Sequence, residues 1–402
     1  MKNNSEIIGV ILLISGTTIG AGMLGLPIAT GIMGFFPAIC VFFLCWIIMT
    51  WSAILIVEVN FALKKNVNLI SMAKFTLGKS GVIVTWIAFL GLYYTLLAAY
   101  ISVSGHMFFD LINIFFFNEN IINMITPLII LILTSPFIIA GIKYVDYFNR
   151  ILTFILILTY FLLIIILIRH VNPPLLLSYR NGFFINSFAI VIVSFGFHPI
   201  IPTITHYLKY KIKHVVFCII IGSAIPLVIY ILWELVLLGI IPINSITHAY
   251  NKEITFCSLI QLIITNPWIT SLIWTFSLFA VLTSFMGVAI SSLEFLKDGF
   301  KLKNTSLNFF KLYIIIFLPP LLFTYLFRNG FITILNYAGV FLIILAGIIP
   351  ILMIYKLKYY FKHKVFFPFL SSKIILSIGM IFYFIIIIFI FIKNIEYISM
   401  KI

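Results

Sequence analysis

The sequence predicts an all-α polytopic membrane protein, and three observations support this class. First, 63% of the 402 residues are hydrophobic, only 9% are charged, and the mean hydropathy is +1.25. A water-soluble domain is nearer half apolar and a quarter charged. Second, the charges fall in short clusters between apolar runs of about 20 residues, the length that crosses a bilayer as a helix. Third, the period-two alternation of an outer-membrane barrel is absent.

The apolar runs predict eleven transmembrane helices, called segments 1 to 11 below. No stretch between them is long enough for a soluble domain, so residues 1–402 are predicted to form a single transmembrane domain. The segments cover residues 7–30, 35–60, 82–106, 121–142, 149–168, 184–207, 214–240, 268–293, 308–327, 331–355 and 373–393.

Lysine and arginine predict the orientation, because they concentrate on the cytoplasmic side of a membrane. With the N-terminus inside, 19 of the 25 basic residues fall in inside segments and 6 in outside segments. The bias predicts a cytoplasmic N-terminus and, with eleven crossings, a periplasmic C-terminus. The outside residues are Arg169, Arg180, Lys252, Arg328, Lys393 and Lys401.

The net charge of +15 does not indicate a nucleic-acid partner, because the basic residues flank membrane segments. The cysteines Cys40, Cys45, Cys218 and Cys257 have no metal-ligand spacing. No nucleotide-binding motif is present either. The sequence therefore predicts no metal or cofactor, no nucleic acid and no obligatory protein partner. The expected surroundings are the lipid bilayer.

The middle of segment 1 is rich in residues that weaken a helix: Gly16, Thr17, Thr18, Gly20, Gly22 and Gly25. Glycine destabilises a helix interior by about 1 kcal/mol relative to alanine. Three interpretations compete. Residues 20–25 formally match GxGxxG, but they follow no strand. Gly16 and Gly20 form a GxxxG pair, which packs helices together. The third interpretation is an unwound stretch at the middle of the membrane.

Segment 6 is interrupted by Gly196, His198, Pro199 and Pro202. Proline removes a backbone donor and clashes with the preceding turn. A simple proline kink is one interpretation, with His198 a buried histidine bonded to a neighbour. The other is a second unwound stretch.

The two interruptions lie at similar depths in segments that enter the membrane from opposite sides. This pattern predicts an inverted five-helix repeat with broken helices at the midplane. Repeat one covers about 7–168, repeat two about 184–355, and 373–393 is an extra helix. Amide groups freed at a half-helix N-terminus attract an anion. Carbonyls freed at a half-helix C-terminus attract a cation, so a small zwitterion suits both.

Several motifs carry a resemblance to a known family: GTTIGAGMLGLP, LIVEVN, AAYIS, VDYFNR, SFGFHPIIPTI, GSAIPLVIY, LTSFMGVA, FLPPL and NYAGV. From end to end the chain resembles the bacterial tyrosine- and tryptophan-specific permeases, the hydroxy and aromatic amino acid permease family. That family belongs to the amino acid–polyamine–organocation superfamily, which has the leucine-transporter-type inverted repeat. The resemblance implies eleven spans and proton-coupled import of an aromatic amino acid, tyrosine first, across the bacterial inner (cytoplasmic) membrane.

The resemblance also implies site residues. Segment 1 would hold the substrate carboxylate with Gly16, Thr17, Thr18, Gly20, Ala21 and Gly22. Phe195, Gly196 and Phe197 of segment 6 would offer carbonyls to the ammonium group, with the rings over the side chain. Tyr100 in segment 3 would reach the carboxylate, although a packing tyrosine is the alternative.

The coupling ion is left open by the sequence. Thr283 and Ser284 in segment 8 match a hydroxyl pair that completes a cation site in sodium-coupled relatives, although such hydroxyls also bond to the preceding turn. Proton-coupled relatives place a lysine in segment 5, and here Leu156 stands near that place. Glu58, Glu234 and His198 are the remaining candidates, because intramembrane ionisable groups are costly. Glu58 could instead snorkel to the interface.

Two rival classes fit the sequence less well. An integral-membrane enzyme would show clustered acids, histidines or arginines at a loop–membrane boundary, and the loops carry mostly scattered lysines. A channel would show a polar stripe along several helices. Neither feature is found, so the sequence favours a transporter without enzyme activity.

Overall fold

The computed structural model describes residues 2–63, 67–112, 119–179, 184–252, 254, 256–261, 263–264, 266–300, 306–326 and 330–401, and among these residues it contains helices and no strands. The first half contains α1 (Lys2–Thr18), α2 (Gly22–Thr30), α3 (Phe35–Leu63), α4 (Leu69–Ile112), α5 (Glu119–Ala140), α6 (Ile142–Leu167) and α7 (Pro173–Leu176). The second half contains α8 (Phe184–Ser194), α9 (Ile201–Tyr207), α10 (Ile212–Leu238), α11 (Ile243–Asn251), α12 (Phe256–Gln261), α13 (Pro267–Gly299), α14 (Ser306–Leu326), α15 (Phe331–Leu342), α16 (Ile349–Tyr355) and α17 (Lys373–Lys401).

The chain is a multi-pass membrane protein. Within the described residues, nine helical stretches are long and apolar enough to cross a membrane, and the bent pair Ser5–Thr18 and Gly22–Met33 makes a tenth. All eleven predicted segments are helical, but the apolar part of α14, Phe310–Leu326, is shorter than the other spans. The count of eleven crossings therefore stays a prediction.

The last helix illustrates how these helices meet the membrane. On α17 the side chains of Ile374, Ile378 and Ile381 are exposed, while Tyr383 and Ile386 are buried. An apolar face without protein neighbours is costly in water but suits lipid. The exposed isoleucines thus mark a lipid-facing side.

Both predicted interruptions are present. The first separates α1 from α2 at residues 19–21, and the two axes differ by 56°. The second separates α8 from α9 at residues 195–200, where a single 3-10 turn spans His198–Ile200. Pro199 and Pro202 have no N–H to continue the helix, which is why it cannot run through this point.

The two interruptions lie side by side in the bundle. The second half of broken segment 1, α2, packs against α8, the first half of broken segment 6. Around them, α1 packs along α10, and α15 packs against α4 and α8. The breaks therefore face one another inside protein, where irregular backbone is tolerated.

Three parts of the structure differ from the loops that the apolar pattern indicated. Residues 69–77 are helical and form the first part of α4, which is kinked at Gly78, whose φ of 74° suits glycine. The helices α11 and α12 fill the connection between α10 and α13 and pack on α2. Amphipathic stretches this short carry too few apolar residues for a hydropathy reading to detect them.

A close approach between α1 and α10 depends on Gly222. A Cβ atom there would lie 2.8 Å from Ile14 Cβ and 3.2 Å from the Ile11 carbonyl oxygen. We expect Gly222→Ala to reduce stability by about 1–3 kcal/mol, because overpacking must be relieved by moving one helix. Thermal unfolding in detergent measures this. The control is Gly287→Ala, where no described atom lies within 4 Å, and an equal loss of stability there would contradict the explanation.

Candidate functional site

The break in segment 1 presents free amides beside a serine. The Ala21 N–H donates to Ser284 Oγ at 2.9 Å. Among the described residues, no acceptor reaches the N–H groups of Gly20 and Gly22. These amides lie at the N-terminal end of α2, where the helix dipole favours negative charge. The arrangement suits an anion such as a carboxylate.

The glycines of this break are required by close neighbours. A Cβ on Gly20 would lie 2.3 Å from Ser284 Oγ, and one on Gly22 would lie 3.0 Å from Ser194 Oγ. Gly20 thus brings the break against α13 and Gly22 brings it against α8. Gly16 is exposed, with no described atom within 4 Å of its Cβ position. Gly16 and Gly20 therefore do not form a GxxxG contact here.

The two threonines of segment 1 are not turned to the break. Thr17 is exposed, and its hydroxyl contacts the carbonyls of Leu13 and Ile14 in its own helix. The Thr18 hydroxyl donates to the Ile14 carbonyl at 2.7 Å. Both hydroxyls bond to the preceding turn, as serine and threonine often do in helices. Of the segment 1 candidates, the structure brings together Gly20, Ala21 and Gly22.

The break in segment 6 is held by tight local bonds. The Phe197 N–H donates to the Phe195 carbonyl at 3.1 Å, and the Phe197 carbonyl accepts from Ile200 at 3.2 Å. The Gly196 carbonyl accepts no hydrogen bond from a described group. A Cβ on Gly196 would lie 2.9 Å from Leu342 Cδ2. The Gly196 carbonyl therefore remains available to another hydrogen-bond donor.

The aromatic rings of segment 6 pack in two directions. The Phe195 ring is fully buried and lies edge-on to Tyr230, with 5.3 Å between ring centroids. The Phe197 ring stacks on the His198 imidazole at 5.0 Å. His198 Nε2 in turn lies 2.8 Å from Ser52 Oγ and 3.0 Å from the Met49 carbonyl oxygen. His198 therefore anchors the break to α3.

Tyr230 on α10 joins the two breaks. Its hydroxyl lies 2.8 Å from the Thr18 carbonyl oxygen and 2.8 Å from the Ser194 carbonyl oxygen. These carbonyls end α1 and α8 respectively. The sequence analysis missed Tyr230, because one tyrosine among 19 in an apolar helix has no distinguishing spacing. Its place in the GSAIPLVIY motif was the available signal.

Segments 3 and 8 meet the first break through two hydroxyls. Tyr100 is buried on α4, and its side chain faces Ser284. Ser284 and Thr283 are adjacent but point differently. Ser284 reaches the break, whereas the Thr283 hydroxyl lies 2.9 Å from the Phe279 carbonyl and 3.1 Å from the Ala280 carbonyl of its own helix. The structure places Ser284, and not Thr283, at the candidate site.

The two membrane acids have different surroundings. The Glu58 carboxylate accepts from the backbone N–H of Phe366 at 2.9 Å and of Phe367 at 2.6 Å. It therefore neither snorkels nor meets the breaks, and it fastens the 361–372 connection to α3. Glu234 is fully buried on α10, and its Oε1 contacts the Thr30 hydroxyl at the end of α2. Its Oε2 has no partner among the described groups.

Comparison with known proteins agrees with this architecture. The pattern of the tryptophan/tyrosine permease family matches residues 2–391. The chain belongs to the tryptophan/tyrosine permease family. It is therefore a permease and not an enzyme, and the resemblance inferred from the motifs is confirmed.

Three relatives of this permease are informative. Tyrosine-specific transport system 2 of Haemophilus influenzae is 32% identical over 366 residues, 89% of each chain. Tyrosine-specific transport system 1 of the same organism is 29% identical and covers 88% of this chain and 89% of the relative. Glutamine transporter 2 of Aliivibrio fischeri is 31% identical and covers 88% and 90%.

Substitution of Gly20 tests the first break. We expect Gly20→Leu to abolish transport by this permease, because the side chain would displace Ser284 and cover the free amides. Uptake of labelled substrate, normalised to folded protein in the membrane, measures the loss. Gly9→Leu is the matched control on the same helix, since Gly9 is exposed with no described atom within 4 Å. Normal uptake by Gly20→Leu would remove this break from the transport site.

Proposed function

We propose that this permease imports an aromatic amino acid, with tyrosine as the first candidate, by proton symport. The proposal places it in the bacterial inner membrane, with a cytoplasmic N-terminus and a periplasmic C-terminus. Two relatives named as tyrosine-specific transport systems support the substrate. The basic residues of the connections support the orientation.

One observation carries the proposal: two interrupted helices meet inside the bundle, and no described group bonds to two amides on one of them or to one carbonyl on the other. An amino acid offers a carboxylate to the amides of Gly20 and Gly22 and an ammonium group to the Gly196 carbonyl. Ser284 and Tyr100 stand beside the amides and would complete the carboxylate site. Phe195 would contribute an apolar wall for the ring of the substrate.

The same observation supports an inverted repeat of the leucine-transporter type. Repeat one would cover about 7–168 and repeat two about 184–355, with 373–393 as an extra helix of one transmembrane domain, 1–402. In this arrangement the broken helices are the first helix of each repeat, and α14 crosses the membrane as the ninth of eleven spans. Alternating access would then occur around a fixed central site.

Glutamine is a second candidate substrate, because a glutamine transporter is 31% identical to this chain. Both substrates share the carboxylate and the ammonium group. They differ only in what fills the side-chain pocket, where aromatic neighbours such as Phe195 favour a ring.

Uptake in proteoliposomes tests substrate and energy source together. We expect labelled tyrosine to accumulate by about tenfold per unit of imposed pH gradient, the limit for one proton per substrate. Unlabelled tryptophan or phenylalanine should compete better than glutamine. Stronger competition by glutamine would change the substrate class, and downhill flux without accumulation would indicate a channel. A sodium gradient imposed alone is the parallel measurement for sodium coupling.

Glu234 is the candidate proton carrier that the contacts support best. The Thr30 hydroxyl has one proton, and it lies 2.8 Å from the Leu26 carbonyl as well as in contact with Glu234 Oε1. If Thr30 donates to Leu26, only a protonated Glu234 can donate to Thr30. An ionised Glu234 would instead accept from Thr30, which would then give up the Leu26 carbonyl, so the proton on Glu234 would decide whether Thr30 donates to its own helix or to α10.

Sodium coupling is the alternative, through Thr283 and Ser284. Hydroxyl and carbonyl oxygens are suitable ligands for a hard cation. In this structure, however, the Thr283 hydroxyl bonds to its own helix and Ser284 accepts from Ala21. The contacts of the pair therefore favour protons over sodium.

Replacing Glu234 separates coupling from substrate binding. We expect Glu234→Gln to lose proton-driven accumulation while retaining at least about half of the exchange of internal for external substrate, because exchange needs no net proton movement. Glu58→Gln is the matched buried acid and should keep accumulation. The reverse result would move the proton site to Glu58. Loss of sodium-driven uptake in a Thr283→Ala, Ser284→Ala double variant, with Glu234→Gln normal, would establish sodium coupling instead.

A further inference from the structure

The chain between α16 and α17 presents a basic and aromatic surface. We call residues 356–373 the basic connection, which includes the 361–372 connection described above. It contains five lysines, one histidine and no acidic residue. Two of its aromatic rings are largely exposed, Tyr360 at 75% and Phe369 at 77%. The exposed lysines are Lys356, Lys362, Lys364 and Lys373.

The backbone of the basic connection is held in place without these exposed lysines. The Glu58 carboxylate on α3 accepts from two of its amides. From the same helix, Trp51 Nε1 donates to the Leu370 carbonyl at 3.0 Å. Lys358, which is only half-buried, donates from Nζ to the Pro368 carbonyl at 2.8 Å. The basic connection is therefore a shaped surface fastened to the bundle, and its outward charges serve no internal contact.

The positive charge of this surface has no counter-charge in the protein. Lys362 and Lys364 are exposed, and among the described residues no carboxylate lies within 4 Å of either ammonium group. The Phe361 ring lies 5.8 Å from the Phe75 ring, measured between centroids, which brings α4 and its exposed Lys74 beside the basic connection. Positive charge from two parts of the chain thus accumulates at one place and is free to meet an anion.

The position of the surface indicates which anion it meets. Lys373 directly precedes Ile374, which belongs to the lipid-facing side of α17, so the basic connection starts at the membrane boundary. In the proposed orientation it lies on the cytoplasmic side, where lysine clusters next to a transmembrane helix attract anionic lipids. Exposed aromatic rings suit the same level of the membrane. We propose that the basic connection binds the headgroups of anionic phospholipids, with Lys362 and Lys364 at the phosphates and Phe369 at the acyl chains.

Thermal unfolding of the full chain in neutral detergent micelles tests this inference. Phosphatidylglycerol is the anionic probe, and phosphatidylcholine is the neutral one. We expect phosphatidylglycerol to raise the Tm by at least about 3 °C more than phosphatidylcholine, because a ligand of the folded state stabilises it. The double variant Lys362→Gln, Lys364→Gln should need at least about tenfold more phosphatidylglycerol for the same shift. The double variant Lys362→Arg, Lys364→Arg keeps both charges and should follow the parent.

The chain offers a matched control for the loss of two charges. Lys143 on α6 and Lys311 on α14 are also exposed and lie outside the basic connection. The double variant Lys143→Gln, Lys311→Gln changes the net charge by the same amount, and it weakens any binding of lipid to the unfolded chain equally. It should keep the response of the parent to phosphatidylglycerol.

Three results would overturn the inference. Equal Tm shifts with both lipids would indicate ordinary solvation by lipid. An equal loss of the shift in the control would indicate a general effect of charge. The same shift with inorganic phosphate alone would indicate a site for a small anion and not a lipid surface. The Tm measurement needs no transport, so a parent that accumulates no amino acid would contradict the proposed function alone.

Discussion

Every backbone polar group inside a membrane must find a partner within the protein, and the centre of this molecule is arranged around that requirement. Breaking a helix frees amides at the start of the next half and carbonyls at the end of the previous one. Here Ser284 accepts from Ala21, and Tyr230 contacts the carbonyls of Thr18 and Ser194. The amides of Gly20 and Gly22 have no described acceptor, and that deficit is the reason why we propose the break as the site of the substrate carboxylate.

The helix α10 supports the first half of broken segment 1. Pro226 has no N–H, so the Gly222 carbonyl four residues earlier is free. That carbonyl accepts from Ser15 Oγ at 2.9 Å, which ties α1 to α10 at the point where Gly222 allows the two helices to approach. Two turns further along α10, Tyr230 meets the end of α1. A single helix therefore supports the first half of segment 1 along its length.

The sequence predicts the helices and both breaks, because apolar run length and the clustering of glycine and proline are local properties. It cannot predict which side chain meets a freed backbone group, because that depends on how helices distant in sequence are oriented. Thr283 and Ser284 are adjacent and chemically alike, yet only Ser284 reaches the break. Tyr230 is 212 residues from Thr18. In the sequence, Glu58 is a costly acid within a membrane segment. Only the structure shows that two backbone amides of the 361–372 connection donate to its carboxylate.

Two polar residues of α10, Tyr230 and Glu234, hold different halves of the same broken segment. Tyr230 fixes the end of α1 together with the end of α8, whereas Glu234, one turn later, contacts Thr30 at the end of α2. The 56° bend between α1 and α2 is therefore fixed from one rigid helix at two points. A change of charge at Glu234 would change the donor and acceptor in its contact with α2, whereas the contacts of Tyr230 with the ends of α1 and α8 would stay the same. In the proposed function, this difference allows α2, whose amides we propose to bind the carboxylate, to respond to the proton while the other two helix ends are held.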